Sequence, residues 1–116
     1  MKKYTKINIH DQKPETTHNG SVNLIRLIHN GETNANIATM NKAWLDKGQQ
    51  FTPHKHPDSI EYFLITNGSG TMLIDDNWFE VKIGDFITIP VDSLHSLKNT
   101  SDTPLEFISL RGLINK

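Results

Sequence analysis

The chain has 116 residues, 12 lysines and arginines against 13 aspartates and glutamates, a net charge of −1 and no cysteine. That length suits one domain with a core of its own. A near-neutral chain without a basic block excludes nucleic-acid binding through a charged surface, and the lack of cysteine excludes a disulfide scaffold and any thiolate metal ligand.

Residues 1–20 are polar and read as an N-terminal arm, with residues 11–20 as loop; the domain proper is expected over residues 21–116. A first strand fits residues 22–29, followed by the turn cluster Asn30-Gly31-Glu32-Thr33-Asn34. A second strand fits 37–45 and ends at Asp46-Lys47-Gly48. Strands are then expected at 51–56 and 61–65, with turn residues Pro57-Asp58-Ser59 between them. Asn67-Gly68 leads to a strand at 71–74, Asp75-Asp76-Asn77 to one at 78–81, and Gly84-Asp85 to one at 86–89. A strand at His95 and a last strand over 105–111 complete the chain. Short segments rich in Val, Ile, Phe and Thr, spaced by Gly, Asp, Asn and Pro turns, predict an all-β sandwich or barrel. Lys2 and Lys3 precede no apolar run of signal-peptide length, and no segment is long enough to span a membrane. The expectation is a soluble cytoplasmic protein without a membrane partner.

The chemistry concentrates in one stretch. His54 and His56 are two apart, so on a strand they project to the same side, with Cα atoms roughly 6.6 Å apart. Two imidazoles with metal–nitrogen bonds of about 2.1 Å close on one ion across such a gap. The turn after Pro57 returns the chain so that Glu61 reaches the same place, on a strand whose residues of like parity, Phe63 and Ile65, are apolar. His95 arrives from a distant strand. Imidazole and carboxylate ligands suit manganese, iron, cobalt, nickel or zinc. His10, His18 and His29 lie outside this pattern and read as ordinary surface or strand residues.

The run Gly48, His54, His56, Glu61, Gly68 and the later run Gly84, Pro90, His95, Asn99 resemble the two motifs of the cupin superfamily. The second departs at Asp92, where the family has glycine. A glycine there points to a positive φ, which aspartate tolerates better than most residues. The resemblance spans nearly half the chain. It implies a double-stranded β-helix, or jelly-roll barrel, and one divalent transition metal on His54, His56, Glu61 and His95. It also implies a cavity beside the metal, faced by Phe107 and Ser109, with Asn41 and Gln50 placed similarly by strand parity. Arg111 shares the parity of Ser109 and is a candidate clamp for a substrate carboxylate. Small cupins are commonly dimeric, so a homodimer is expected, with residues 4–9 adding to a partner's sheet. The functional expectation is an enzyme acting on a small oxygen-rich molecule such as a keto acid, hydroxy acid or sugar derivative, by dioxygenase, isomerase or lyase chemistry. The alternative is a non-catalytic module that binds a metal and a small ligand for sensing or storage.

Overall fold

A computed structural model describes residues 4–114. Nine strands follow in chain order: β1 (Glu15–Thr17), β2 (Val22–Ile28), β3 (Ile37–Leu45), β4 (Ser59–Asn67), β5 (Ser69–Ile74), β6 (Asn77–Lys82), β7 (Phe86–Ile89), β8 (His95–Asn99) and β9 (Leu105–Leu113). They form a six-stranded sheet in the order β1-β2-β3-β9-β4-β7 and a three-stranded sheet in the order β6-β5-β8. Every pairing between these strands is antiparallel. The all-β jelly-roll barrel expected from the sequence is what the chain forms. Helix among the described residues is limited to one 3₁₀ turn, Ile9–Asp11. No helix among them is long and apolar enough to cross a membrane.

Strand alternation decides which residues reach the interior. On β9, Leu105, Phe107 and Ser109 are buried while their neighbours Glu106 and Ile108 are less so. On β3 the buried set is Ala38, Asn41, Ala43 and Leu45. In register these strands place Asn41 against Ser109 and Ala43 against Phe107. On β9's other side, β4 sets Phe63 against Ser109 and Ile65 against Phe107. Leu45, Ile65, Met72, Ile89, Leu97 and Leu105 are almost wholly buried between the two sheets. Each such side chain contributes roughly 1.5–3 kcal/mol of transfer free energy. One end of the barrel is therefore closed by packing, and the polar positions Asn41, Ser109 and Glu61 lie towards the other.

Two local expectations need correction. The arm is not loop throughout, because β1 pairs with β2 (Glu15 opposite Leu24, Thr17 opposite Val22) and forms the sheet's edge. Its short, polar, exposed sequence carries no apolar alternation to announce it. Residues 51–56 are not a continuous strand; the backbone of the segment pairs with β8 through the isolated bridges Gln50–Lys98 and His54–His95. Pro53 lies between those bridges and has no N–H to donate, so the ladder is interrupted there. Residues 4–8 pair with no strand of their own protomer. By contrast, Asp92 adopts φ = 61°, the left-handed geometry expected at the position where the family motif has glycine.

Candidate metal centre

His54 and His56 come from the extended segment after β3, Glu61 from the start of β4 and His95 from the first position of β8. Backbone bonds fix these pieces. His54 N–H donates to the His95 carbonyl (3.1 Å), His95 N–H donates to the His54 carbonyl (2.9 Å), and Asp92 N–H donates to the His56 carbonyl (2.8 Å). One ligand atom from each of the four side chains lies within 4.8 Å of all the others, close enough to share one metal ion. The imidazole centroids of His54 and His95 are 4.4 Å apart, and those of His54 and His56 are 5.0 Å apart.

Hydrogen bonding orients the rings. His54 Nδ1 lies 3.0 Å from the Thr52 carbonyl and His95 Nδ1 3.0 Å from the Ser93 carbonyl. A carbonyl oxygen only accepts, so each Nδ1 carries the proton, and Nε2 is left to act as the ligand atom. This has a sharp consequence at His95, whose Nε2 stands 3.2 Å from Glu61 Oε1. His56 Nε2 is 3.4 Å from the same oxygen. A nitrogen lone pair facing a carboxylate oxygen is repulsive unless a cation, either a proton on Nε2 or a metal ion, lies between them. The donor set thus fits a divalent metal on the grounds of its own geometry.

The electrostatics agree. Burial holds the His54 imidazole down at about 4 from its ordinary 6.5, with the Thr52 carbonyl opposing and His95, His18 and His56 adding to the depression. Burial alone would raise the Glu61 carboxyl. Hydrogen bonds donated by His56 and His95, and their charge, outweigh that and hold it at about 2 against an ordinary 4.5. Both shifts have the same sign, so the unfolded chain binds more protons than the folded one throughout the window they span. The contribution of His54 is complete above pH 6.5 and is lost as pH falls through about 4. That of Glu61 is complete above pH 4.5 and is lost as pH falls through about 2. Melting temperatures of the metal-free protein, taken in chelator, are expected to fall steadily on acidification below pH 6.5. A flat profile between pH 6.5 and 4 would contradict the burial of a neutral His54.

A cavity of about 80 Å³ opens beside the cluster. Val22, Leu24, Ala43, Phe51, Phe63 and Phe107 supply its apolar wall; Thr17, His18, Asn41, His54, Glu61 and Ser109 supply polar groups. Of the candidates for substrate contact, Asn41, Phe107 and Ser109 line this cavity. Gln50 does not: its amide donates to Ser96 Oγ at 3.2 Å. Arg111 does not either, and its guanidinium is engaged by Ser59 Oγ (3.2 Å) and Asp58 Oδ1 (3.4 Å).

His18 is the residue that sequence reading missed. Expected as an ordinary surface or strand histidine, it stands at the cavity mouth, its ring 4.7 Å from that of His54 and 5.1 Å from that of Phe51. That packing partly buries the ring and lowers its pKa, with Glu61 opposing and His56 and His95 reinforcing the shift. The turn between β1 and β2 delivers it: His18, Asn19 and Gly20 all have positive φ. Asn-Gly is the strongest short hairpin signal a sequence carries, and it was the available clue.

Residues 43–111 match the family model described as a cupin domain. The chain is a cupin. Over 96 residues, 83% of its length, this cupin is 33% identical to an uncharacterised protein of Methanocaldococcus jannaschii, of which the match spans 76%. Its fold is similar to that of a Thermotoga maritima protein described as a predicted oxalate decarboxylase, with TM-score 0.88, 23% identity and coverage of 95% of this chain and 100% of that one. It is also similar to a Silicibacter pomeroyi protein described as a sugar phosphate isomerase from a cupin superfamily, with TM-score 0.77, 15% identity and coverage of 95% and 76%. At these identities the two structures speak to the fold of this cupin.

Proposed function

We propose that His54, His56, Glu61 and His95 hold one divalent transition metal (manganese, iron, cobalt, nickel or zinc) and that the cupin is an enzyme acting on a small oxygen-rich substrate. The observation that carries this reading is the apposition of His95 Nε2 and Glu61 Oε1 at 3.2 Å with Nδ1 already committed to a carbonyl. A metal held by four side chains keeps exchangeable positions and polarises a carbonyl or hydroxyl oxygen bound there. The rest of the work falls to the chain. Phe51, Phe63 and Phe107 exclude water, while Asn41 and Ser109 are the polar groups placed to orient a ligand. Keto acids, hydroxy acids and sugar derivatives share the oxygen donors that such a site binds.

A second reading is a binding module for sensing or storage. It is favoured by the thin supply of proton-transfer groups, since apart from His54 and Glu61 only His18 among the cavity-lining residues titrates. Elemental analysis of the purified protein, followed by turnover assays with and without oxygen, separates the two. Stoichiometric metal with turnover of a keto acid, hydroxy acid or sugar supports the enzyme. Stoichiometric metal with ligand-dependent stabilisation and no turnover supports the module.

We further propose that the cupin is a homodimer. The outer face of the six-stranded sheet carries Met40, Tyr62, Leu64, Phe86, Ile108 and Leu110 in one apolar patch. Leu64 is 41% exposed and Phe86 63% exposed, with Phe86 stacked on Tyr62. A patch of this kind is covered in a stable assembly more often than left to water, and residues 4–8 pair with no strand of this chain. Sedimentation is expected to show a dimer at micromolar concentration for wild type and a monomer for Leu64→Lys/Phe86→Lys, both sites being exposed enough to change without disturbing the core. A monomeric wild type would remove the proposal.

A further inference from the structure

Asn41 is the one buried side chain among the described residues with a polar atom left unpartnered. Its residue exposure is 8%, its Nδ2 donates to Ser109 Oγ at 3.4 Å, and its Oδ1 has no hydrogen-bond partner. An orphaned buried acceptor costs roughly 1–3 kcal/mol. Packing does not call for it, because the next inward pair on the same two strands, Ala43 opposite Phe107, is apolar. Asn41 and Ser109 both line the cavity that also holds Glu61 and His54, so the unsatisfied atom belongs to the space beside the metal ligands.

The hydrogen-bonding capacity of the pair identifies what is missing. Ser109 Oγ accepts from Asn41, and among the described residues no protein acceptor takes the Ser109 proton. The pair therefore offers a spare acceptor, Asn41 Oδ1, and two spare donors, the Ser109 hydroxyl and the second Asn41 Nδ2 hydrogen. Turning the amide over exchanges the roles and again leaves both kinds of group, the two Asn41 Nδ2 hydrogens as donors and Ser109 Oγ as acceptor. An alcohol hydroxyl, which donates once and accepts at the same oxygen, serves both kinds. A carboxylate can take the spare donors but, since it only accepts, leaves the acceptor unmet. No lysine or arginine lines the cavity, so a carboxylate at Asn41 and Ser109, away from the metal ligands, would have no cationic side chain beside it. Size narrows the ligand further: about 80 Å³ is well below the roughly 300–1,000 Å³ of sites for drug-sized molecules.

We propose that Asn41 and Ser109 form a hydroxyl-recognition subsite, and that the substrate is a small hydroxylated molecule of a few carbon atoms whose uncharged hydroxyl binds there while its other oxygen donors reach the metal. The proposal rests on the metal reading above and is tested so that the two fail separately.

The test compares propionate with lactate and with 3-hydroxypropionate, acids of one carbon number that differ in the presence and place of a hydroxyl. Binding is followed by calorimetry on protein loaded with nickel, after its metal content has been measured. At least one hydroxy acid is expected to bind about 10-fold or more tighter than propionate. In Asn41→Leu, with metal stoichiometry unchanged, that ratio is expected to collapse towards unity, and Ser109→Ala is expected to reduce it as well. The metal-free melting temperature of Asn41→Leu is expected to be no lower than that of wild type, since the substitution removes an unsatisfied acceptor. Chelation by the metal alone would leave the ratio intact in both variants, and this result overturns the subsite. So do equal affinities for all three acids in wild type, or a large fall in melting temperature that marks Asn41 as structural. Protein that takes up no metal overturns the metal reading itself, and the subsite with it.

Discussion

Saturating divalent metal is expected to raise the melting temperature of the wild-type cupin by roughly 10–20 °C and to leave His56→Ala unmoved. A ligand at a thousand times its dissociation constant stabilises the folded state by about 4 kcal/mol. His56 is the informative position. Its side chain is 26% exposed, so its loss opens no cavity in the core, whereas His95 is 1% exposed and tied through Nδ1 to Ser93. Truncating His56 removes one of four ligand groups and leaves Glu61 facing His95 alone. Elemental analysis is expected to find one ion per wild-type chain and none in the variant. The wild-type affinity is expected to decline as pH drops below about 6.5, because the imidazoles must be neutral to ligate. A His56→Ala protein that retained one ion per chain and the full thermal shift would show that the ligands lie elsewhere.

Asn99→Leu is expected to lower the free energy of unfolding by about 3–5 kcal/mol, measured from the urea midpoint. The residue closes the second sequence motif, yet it touches no metal ligand through its side chain. Its Nδ2 donates to the carbonyls of Leu45 (3.0 Å) and Thr103 (2.8 Å), and its Oδ1 accepts from Ser101 N–H (2.9 Å) and Ser101 Oγ (2.8 Å). Asn99 is almost completely buried. Leucine matches its size and none of these bonds, so backbone groups on β3 and in the loop before β9 lose their partner at the same time. The loss amounts to a large fraction of the 5–15 kcal/mol that holds a typical domain together. A change under about 1 kcal/mol would mean that water replaces the amide without cost, which its burial opposes.

Much of this molecule is legible in its sequence, for reasons that differ from place to place. The strands Ile37–Leu45 and Phe86–Ile89 match their expected limits because turn residues bracket them on both sides and their inward positions alternate. The cluster of His54, His56, Glu61 and His95 is legible because three of its members fall within eight positions, 54–61, and the fourth sits at a motif spacing. The segment around His54 is less so, since Pro53 breaks the regular pairing that its composition suggests. β1 is hidden because an edge strand of three polar residues has no buried face to advertise. His18 is hidden for a different reason. Its nearness to His54 is a product of the hairpin folding across the barrel mouth, a contact between distant residues with no local pattern. Arg111 has the parity expected of it, but parity does not reveal that Asp58 and Ser59 already occupy its guanidinium.

The turn that carries His18 is closed by bonds within itself: Gly20 N–H to the Thr17 carbonyl (3.1 Å), and Ser21 N–H and Oγ to the His18 carbonyl (3.2 and 2.8 Å). Beyond itself it makes few contacts: the His18 ring lies over His54 and Phe51, and the Gly20 carbonyl accepts from Gln49 Nε2 at 3.4 Å. The entrance is therefore an exchangeable part. Grafting a different four-residue turn between Thr17 and Val22 alters what can enter the barrel while the β1–β2 pairing, His54, His56, Glu61 and His95 stay where they are. In a lineage of such proteins, or in a directed library, diversity concentrated in that short loop is the cheapest route from one ligand to another.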